Sequence, residues 1–217
     1  RHYANWLKSR GITFAVIENE FGAAGVDAAM LKDVAEVAKI SGGCICCGMK
    51  VNFHDRILEL AQSYDRVVVE PSGIFNMDEY MDVLDSPQIK EACLPGCAVT
   101  IVDPASLEEM SLAELEVLYS QLISTGRILI SKTGLYPEKV QRAEDILVAL
   151  LGRDRDIKPL FESKPWEEWT DQDFQRIAES APQPVSHIRR TADHSTLFNS
   201  TTLYPRACYS LEEARQI

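Results

Sequence analysis

Apolar residues along this chain follow two rhythms, short unbroken runs and longer stretches with helical spacing. Ile12-Thr13-Phe14-Ala15-Val16-Ile17, Tyr64-Asp65-Arg66-Val67-Val68-Val69, Ala98-Val99-Thr100-Ile101-Val102 and Arg127-Ile128-Leu129-Ile130 belong to the first kind. Runs this short, rich in β-branched residues, predict strands buried on both faces of a parallel sheet. Helical spacing fills the gaps between them. Tyr3, Trp6 and Leu7 share a face before Gly11, and Ile57, Leu60 and Ala61 mark a helix over Phe53 to Ser63. Met77 to Leu84 predicts a short helix, and Leu112, Leu115, Leu118 and Leu122 give a stripe along a long helix from Ser106 to Ile123. Pro137 opens a further helix whose apolar face is Val140, Ala143, Leu147 and Leu150, ending near Gly152.

Two stretches read less simply. Ala28 to Lys39 is helix-friendly, yet Val34, Val37 and Ile40 could equally start a short strand. Ile157 to Phe161 predicts a last strand, after which Thr170 and Asp173 form a capping pattern for a helix through Ala178. Strands alternating with helices predict an α/β domain with a doubly wound, mostly parallel sheet. Ala181-Pro182-Gln183-Pro184 is the expected boundary, giving a first domain over 1–183 and a second unit over 184–217. In the second unit, Leu197 to Tyr204 predicts a strand, and Ser210 to Glu213 a helix start. One strand and one helix start bury no core alone, so the start of a small α+β domain or an appendage is expected. The chain opens on Arg1, within a predicted helix, so a preceding segment is expected as well.

Composition narrows the field of functions. The chain of 217 residues is 46% apolar and 25% charged, as in ordinary globular domains. A net charge of −11 and a pI near 4.9 argue against nucleic acid as a partner, because phosphate binding needs a basic surface. No apolar run reaches the roughly 18 residues of a membrane span, so no membrane partner is expected. Six cysteines without a disulfide-scaffold spacing point to a reduced, cytoplasmic setting.

Three of those cysteines lie within four positions, in Ser41-Gly42-Gly43-Cys44-Ile45-Cys46-Cys47-Gly48. Thiols this close together suit a soft or borderline metal ion, and the flanking glycines let the backbone turn around it. Small buried apolar residues are the plainer alternative. A dithiol redox role is less compatible, since adjacent cysteines are strained as a disulfide. Cys93, Cys97 and Cys208 are isolated and read as packing residues.

Three strand tips carry polar motifs. Glu18-Asn19-Glu20 follows the first strand, at the edge where open α/β sheets bind ligands. Glu70-Pro71-Ser72-Gly73 follows the second. An acid at a strand tip with glycine three residues on can face a nucleoside triphosphate, the carboxylate toward Mg²⁺ and the glycine N–H toward the γ-phosphate. An ordinary strand-to-loop turn is the alternative. Ser131-Lys132-Thr133-Gly134 is similar to the Asn-Lys-x-Asp box that reads guanine, with Ser131 at the Asn position and Gly134 at the Asp position. An exposed loop lysine is the alternative there.

Taken in order, these pieces resemble the CobW-like family of P-loop GTPases, which are metal chaperones and insertases. The resemblance rests on Val16-Ile17-Glu18-Asn19-Glu20-Phe21-Gly22 with Val26-Asp27, Gly43-Cys44-Ile45-Cys46-Cys47, Val68-Val69-Glu70-Pro71-Ser72-Gly73, Val102-Asp103 and Ile128-Leu129-Ile130-Ser131-Lys132-Thr133. His194 and the strand after it look like the entry to that family's C-terminal domain. The resemblance implies a P-loop GTPase fold and a GTP-hydrolysing metal chaperone with cofactors GTP, Mg²⁺ and Zn²⁺, or Co²⁺ or Ni²⁺ in place of zinc. It implies Cys44, Cys46 and Cys47 as thiolate ligands with Glu18 or Glu20 nearby. Glu70 and Gly73 would sit at Mg²⁺ and the γ-phosphate, and Ser131, Lys132 and Thr133 at the base. A metal-receiving client protein, and self-association into a homo-oligomer, are the implied partners. The Gly-x-x-x-x-Gly-Lys-Ser/Thr phosphate loop and its strand do not occur in the chain. A non-hydrolysing metal-binding regulatory module on a degenerate GTPase fold is the alternative.

Overall fold

The computed structural model describes residues 1–18, 36–39, 48–71, 77–151 and 160–180. Helix α1 (His2–Ser9) leads through Gly11, at φ +69°, into strand β1 (Phe14–Glu18). Positive φ is where a residue without Cβ is favoured, so Gly11 turns the chain without steric cost. Strand β1 is central to a parallel sheet, with β2 (Glu36–Lys39) on one side and β3 (Arg66–Glu70) on the other. Val16 stands opposite Val37 in β2 and Val68 in β3.

Every residue of β1 is buried, and alternation divides them between two layers. Ala15 and Ile17 pack against Phe53, Ile57 and Leu60 of helix α2 (Gly48–Ala61). Val83 of α3 (Met77–Leu84) and Ile89 of α4 (Pro87–Ala92) complete that cluster. Phe14 and Val16 face the other way, onto Ala4, Trp6 and Leu7 of α1. A strand covered on both faces has no polar side, which is why its sequence reads as a continuous apolar run.

A second parallel sheet has the order β4 (Val99–Val102), β5 (Arg127–Ile130), β6 (Phe161–Glu162). Val102, Ile128 and Ile130 pack with Leu118, Leu122 and Ile123 of α5 (Leu112–Ile123) and with Ala143, Leu147 and Leu151 of α6 (Pro137–Leu151). The α/β architecture with parallel sheets is the one expected. Among the described residues, however, the sheet comes as two three-stranded parts, and one flank each of β3 and β4 carries no partner strand. In strand β4, Thr100 and Val102 are buried while Val99 and Ile101 are exposed, so one of its faces is covered and the other open.

Helix α7 (Asp171–Glu179) joins the two parts through side chains. Phe174 and Ala178 pack with the α1–β1 cluster, and Arg10 after α1 pairs with Asp171 at 2.6 Å. Arg66, at the start of β3, reaches the Ala178 carbonyl at 3.4 Å, and Arg127, at the start of β5, reaches Ser180 Oγ at 3.0 Å. Three tryptophans occur in the chain, and all of them lie at this corner: Trp6 stacks on Phe174, Trp169 tilts against it, and Trp166 packs on Trp169.

Several boundaries differ from the sequence expectation. The helix expected over Ser106 to Ile123 is broken: a 3₁₀ turn (Leu107–Glu109) precedes α5, because Ser111 caps Glu114 N–H and Glu114 returns to Ser111 N–H at 2.7 Å. Helix α2 begins at Gly48 rather than Phe53. Helix α4 was not expected, although Ser86 accepts from Ile89 N–H and Pro87 stands in the first turn, both sequence-level start signals. Residues 36–39 form a strand, the alternative to a helix running through Lys39. The last strand keeps only Phe161–Glu162, and Ile157 lies outside the described residues. So do the boundary near Ala181 and both elements expected beyond it.

Asp173 is the most tightly held carboxylate of the described residues. It is 2% exposed, and it accepts from Thr170 N–H at 2.6 Å, Thr170 Oγ1 at 2.7 Å, Lys164 Nζ at 2.6 Å and the Arg176 guanidinium. Burial alone would raise its pKa, but hydrogen bonds from Lys164, Thr170 and Arg176 outweigh it and hold the carboxyl far below the usual range. A folded-state pKa below the unfolded one means that the stabilisation is complete above the unfolded value and is withdrawn as pH falls below it. Asp173→Ala is expected to cost about 3 kcal/mol in urea unfolding at neutral pH. The variant's deficit should shrink in acid, and a pH-independent deficit would count against this role.

Candidate functional site

Pairing in β1 and β3 ends with Glu18 directly opposite Glu70. Glu18 is buried at 4% exposure and Glu70 is exposed. Alternation puts both on the face of Phe14, Val16 and Val68, the face that α1 covers. On the other flank, Glu18 stands opposite Lys39, the last residue of β2. The chain leaves the sheet at Lys39 and re-enters described structure at Gly48, the first residue of α2. Cys44, Cys46 and Cys47 lie between those points, outside the described residues, as do Glu20 and Gly73. Among the described residues no group of three or more His, Cys, Asp or Glu side chains forms a metal cluster.

Adjacent parallel strands run about 4.8 Å apart, so two carboxylates in register create a local negative potential. Hard oxygen donors in that setting suit a divalent cation such as Mg²⁺, whereas clustered thiols suit zinc. Among the described residues, the donors that this edge offers are the strand-tip carboxylates.

A second polar group forms where β4 and β5 end. Ser131 N–H donates to the Val102 carbonyl at 2.8 Å and Ser131 Oγ to the same oxygen at 3.1 Å, fastening the two strand tips. Lys132 follows at φ +52°, a left-handed conformation uncommon for a side chain with Cβ. Its Nζ donates to Asp103 Oδ2 at 2.5 Å, while Asp103 Oδ1 accepts from Ala105 N–H at 2.9 Å. The Lys132 hydrogen bond lowers the Asp103 pKa, and Asp103 raises that of Lys132. Thr133 is buried and Gly134 exposed, and the Lys132 carbonyl accepts from Leu135 and Tyr136 N–H before α6 begins. Sequence reasoning identified Lys132 but overlooked Asp103 as its partner. The signal was present: Asp103 is a third acid at the C-terminal end of a strand, as Glu18 and Glu70 are.

The groove of about 570 Å³ between α6 and β6 lies elsewhere. It is lined by Glu144, Asp145 and Glu162, which are engaged by Ser163, Gln141 and Arg176. An acidic lining of this kind disfavours phosphate. Cys93 and Cys97 are free thiols, half-buried.

A family model described as "CobW/HypB/UreG, nucleotide-binding domain" matches residues 1–155. The zinc chaperone YjiA of Escherichia coli K12 is 29% identical over 148 residues, covering 64% of this chain and 45% of that protein. The zinc chaperone YeiR of the same organism is 31% identical over 123 residues, covering 55% of this chain and 38% of that protein. The chain thus spans less than half the length of these curated relatives. Among solved structures, the Zn(II)-bound YjiA GTPase from E. coli aligns over 85% of this chain and 62% of that one, with TM-score 0.48 and 19% identity.

Burial raises the pKa of Cys93, and it raises that of Cys97 against an opposing contribution from Arg127. Iodoacetamide at about pH 7.5 is therefore expected to label both several-fold more slowly than an unperturbed thiol. Peptide mass spectrometry would read the rates; labelling at the free-thiol rate would contradict this account.

Proposed function

The chain belongs to the CobW/HypB/UreG nucleotide-binding domain family, and from that premise we propose that it is part of a nucleotide-hydrolysing zinc chaperone. Cys44, Cys46 and Cys47 bind the zinc cargo, with Glu18 or Glu20 adding an oxygen ligand. GTP is the substrate, and a client protein receives the metal. The supporting observation is the order Lys39–Glu18–Glu70 across three parallel strand tips. It puts the departure point of the cysteine segment and the start of the Glu70–Gly73 segment on either side of one buried carboxylate. YjiA and YeiR are both named zinc chaperones, and a name of that kind fits a cysteine cluster better than it fits a buried packing cluster.

Glu70 has the hard oxygen donors that Mg²⁺ takes, and Mg²⁺ bound there would neutralise charge on the phosphates. Gly73 leaves room for its N–H to approach the γ-phosphate, and Lys132, with Ser131 and Thr133, lies under the base. Phosphate binding itself needs a cradle. The 217 residues contain no Gly-x-x-x-x-Gly-Lys-Ser/Thr run. Loss of the γ-phosphate releases the contacts at Gly73. The segment after β3 then relaxes, and Glu18, between the two segments, transmits the change to the metal ligands. The competing reading, a non-hydrolysing regulatory module, draws on Gly134, which stands where a guanine-reading carboxylate is found.

Zinc competition titration tests the metal half. One zinc per chain is expected, and Cys46→Ala/Cys47→Ala should lose more affinity than the roughly 10–100-fold that outer-shell changes cost. Unaltered zinc affinity would sink the assignment. Phosphate release from GTP by the full-length protein, abolished in Glu70→Gln, would favour the hydrolase over the module.

A further inference from the structure

The strongest way to tell guanine from adenine is a charged acceptor for the guanine N1–H and amino group, held where the alternative base would leave it unpaired. The polar groups around Lys132 are committed elsewhere. Ser131 Oγ donates to the Val102 carbonyl at 3.1 Å. Both Asp103 oxygens accept, one from Lys132 Nζ at 2.5 Å and the other from Ala105 N–H at 2.9 Å. Gly134 contributes no side chain at all. It is exposed, and a Cβ built there meets nothing within 4 Å. Leu135, the next residue, is 72% exposed and offers only apolar surface. Among the described residues, this turn therefore presents an aliphatic lysine stem and a leucine, surfaces on which any purine can stack.

We propose that the nucleotide site discriminates weakly among purine bases, accepting ATP alongside GTP because the turn Ser131–Gly134 has no carboxylate to read guanine. This rests on the nucleotide-binding reading above and extends it to the substrate class, a purine nucleoside triphosphate gripped through its phosphates. Gly134 is the position that sets the selectivity. Its backbone lies outside the left-handed region and its surroundings are open, so an aspartate fits there without displacing a neighbour.

The test is competition of GTP, ATP and ITP against a fluorescent nucleotide on the full-length protein with Mg²⁺, for the wild type and Gly134→Asp. Wild-type affinities for GTP and ATP are expected to agree within about tenfold, against the 10⁴-fold or more that hydrogen-bonded readout supplies. Gly134→Asp should move the preference toward GTP by at least about tenfold and, by the same N1–H and amino contacts, favour GTP over ITP. A wild-type preference for GTP above about a thousandfold overturns the inference while leaving nucleotide binding intact. If the wild type is unselective and a folded Gly134→Asp, checked by thermal melting, stays so, the turn is not the base reader and the inference fails. No binding of any of the three nucleotides overturns the proposed function itself, and this inference with it.

Discussion

Strand register is the constraint on which the rest of this molecule depends. In a parallel pair the side-chain period is two, so a slip of one residue between β1 and β3 would carry Glu18 from the α1 face to the α2 face. There it would lie among Phe53, Ile57 and Leu60, apolar side chains that offer a carboxylate no hydrogen bond. Ala15 and Ile17 have no such freedom, because both are fully buried against α2. The apolar residues thus lock the register, and the locked register places Glu18 and Glu70 side by side. Packing deep in the sheet determines charge geometry at its rim.

The second half of the molecule solves the same problem with different parts. At the β4–β5 rim the acid is Asp103, and its cation comes from the chain itself. Lys132 is half-exposed, so the pair adds little to global stability, as exposed ion pairs seldom do. Its worth is directional. A lysine turned into the left-handed region and tethered by its ammonium group holds its aliphatic stem in one place. A flexible loop lysine, the plainer reading of the sequence, would present no defined surface.

The sequence made most of the architecture legible because β1, β3, β4 and β5 are short apolar runs and the helices between them keep a regular stripe. Where it misled, local chemistry outranked periodicity. The leucine stripe suggested one helix from Ser106, yet the reciprocal Ser111–Glu114 bonds start α5 at Leu112. Pro87 after Ser86 signalled α4, but six residues are too few to show a helical period. At the rims, Glu18, Glu70 and Lys132 were identifiable from their positions at strand ends. Their mutual arrangement was not, because it depends on which strands are neighbours: Glu18 and Glu70 are 52 positions apart in sequence and adjacent in space. The partnership of Asp103 with Lys132 was hidden for the same reason.

Helix α7 gives the fold an unusual distribution of cooperativity. Among the described residues no backbone ladder passes from β3 to β4, so the two parts are held by side chains, with Arg66 and Arg127 both anchored at the end of α7. Hydrogen-bonded sheets open as units, whereas a helix strapped across two of them can detach on its own. Each sheet with its covering helices can then open as its own unit, with α7 and the contact between α3 and α5 as the couplings between them. Amide exchange in the two sheets would become more independent once that strap lets go, with the tips of β4 and β5 freed from those of β1 and β3.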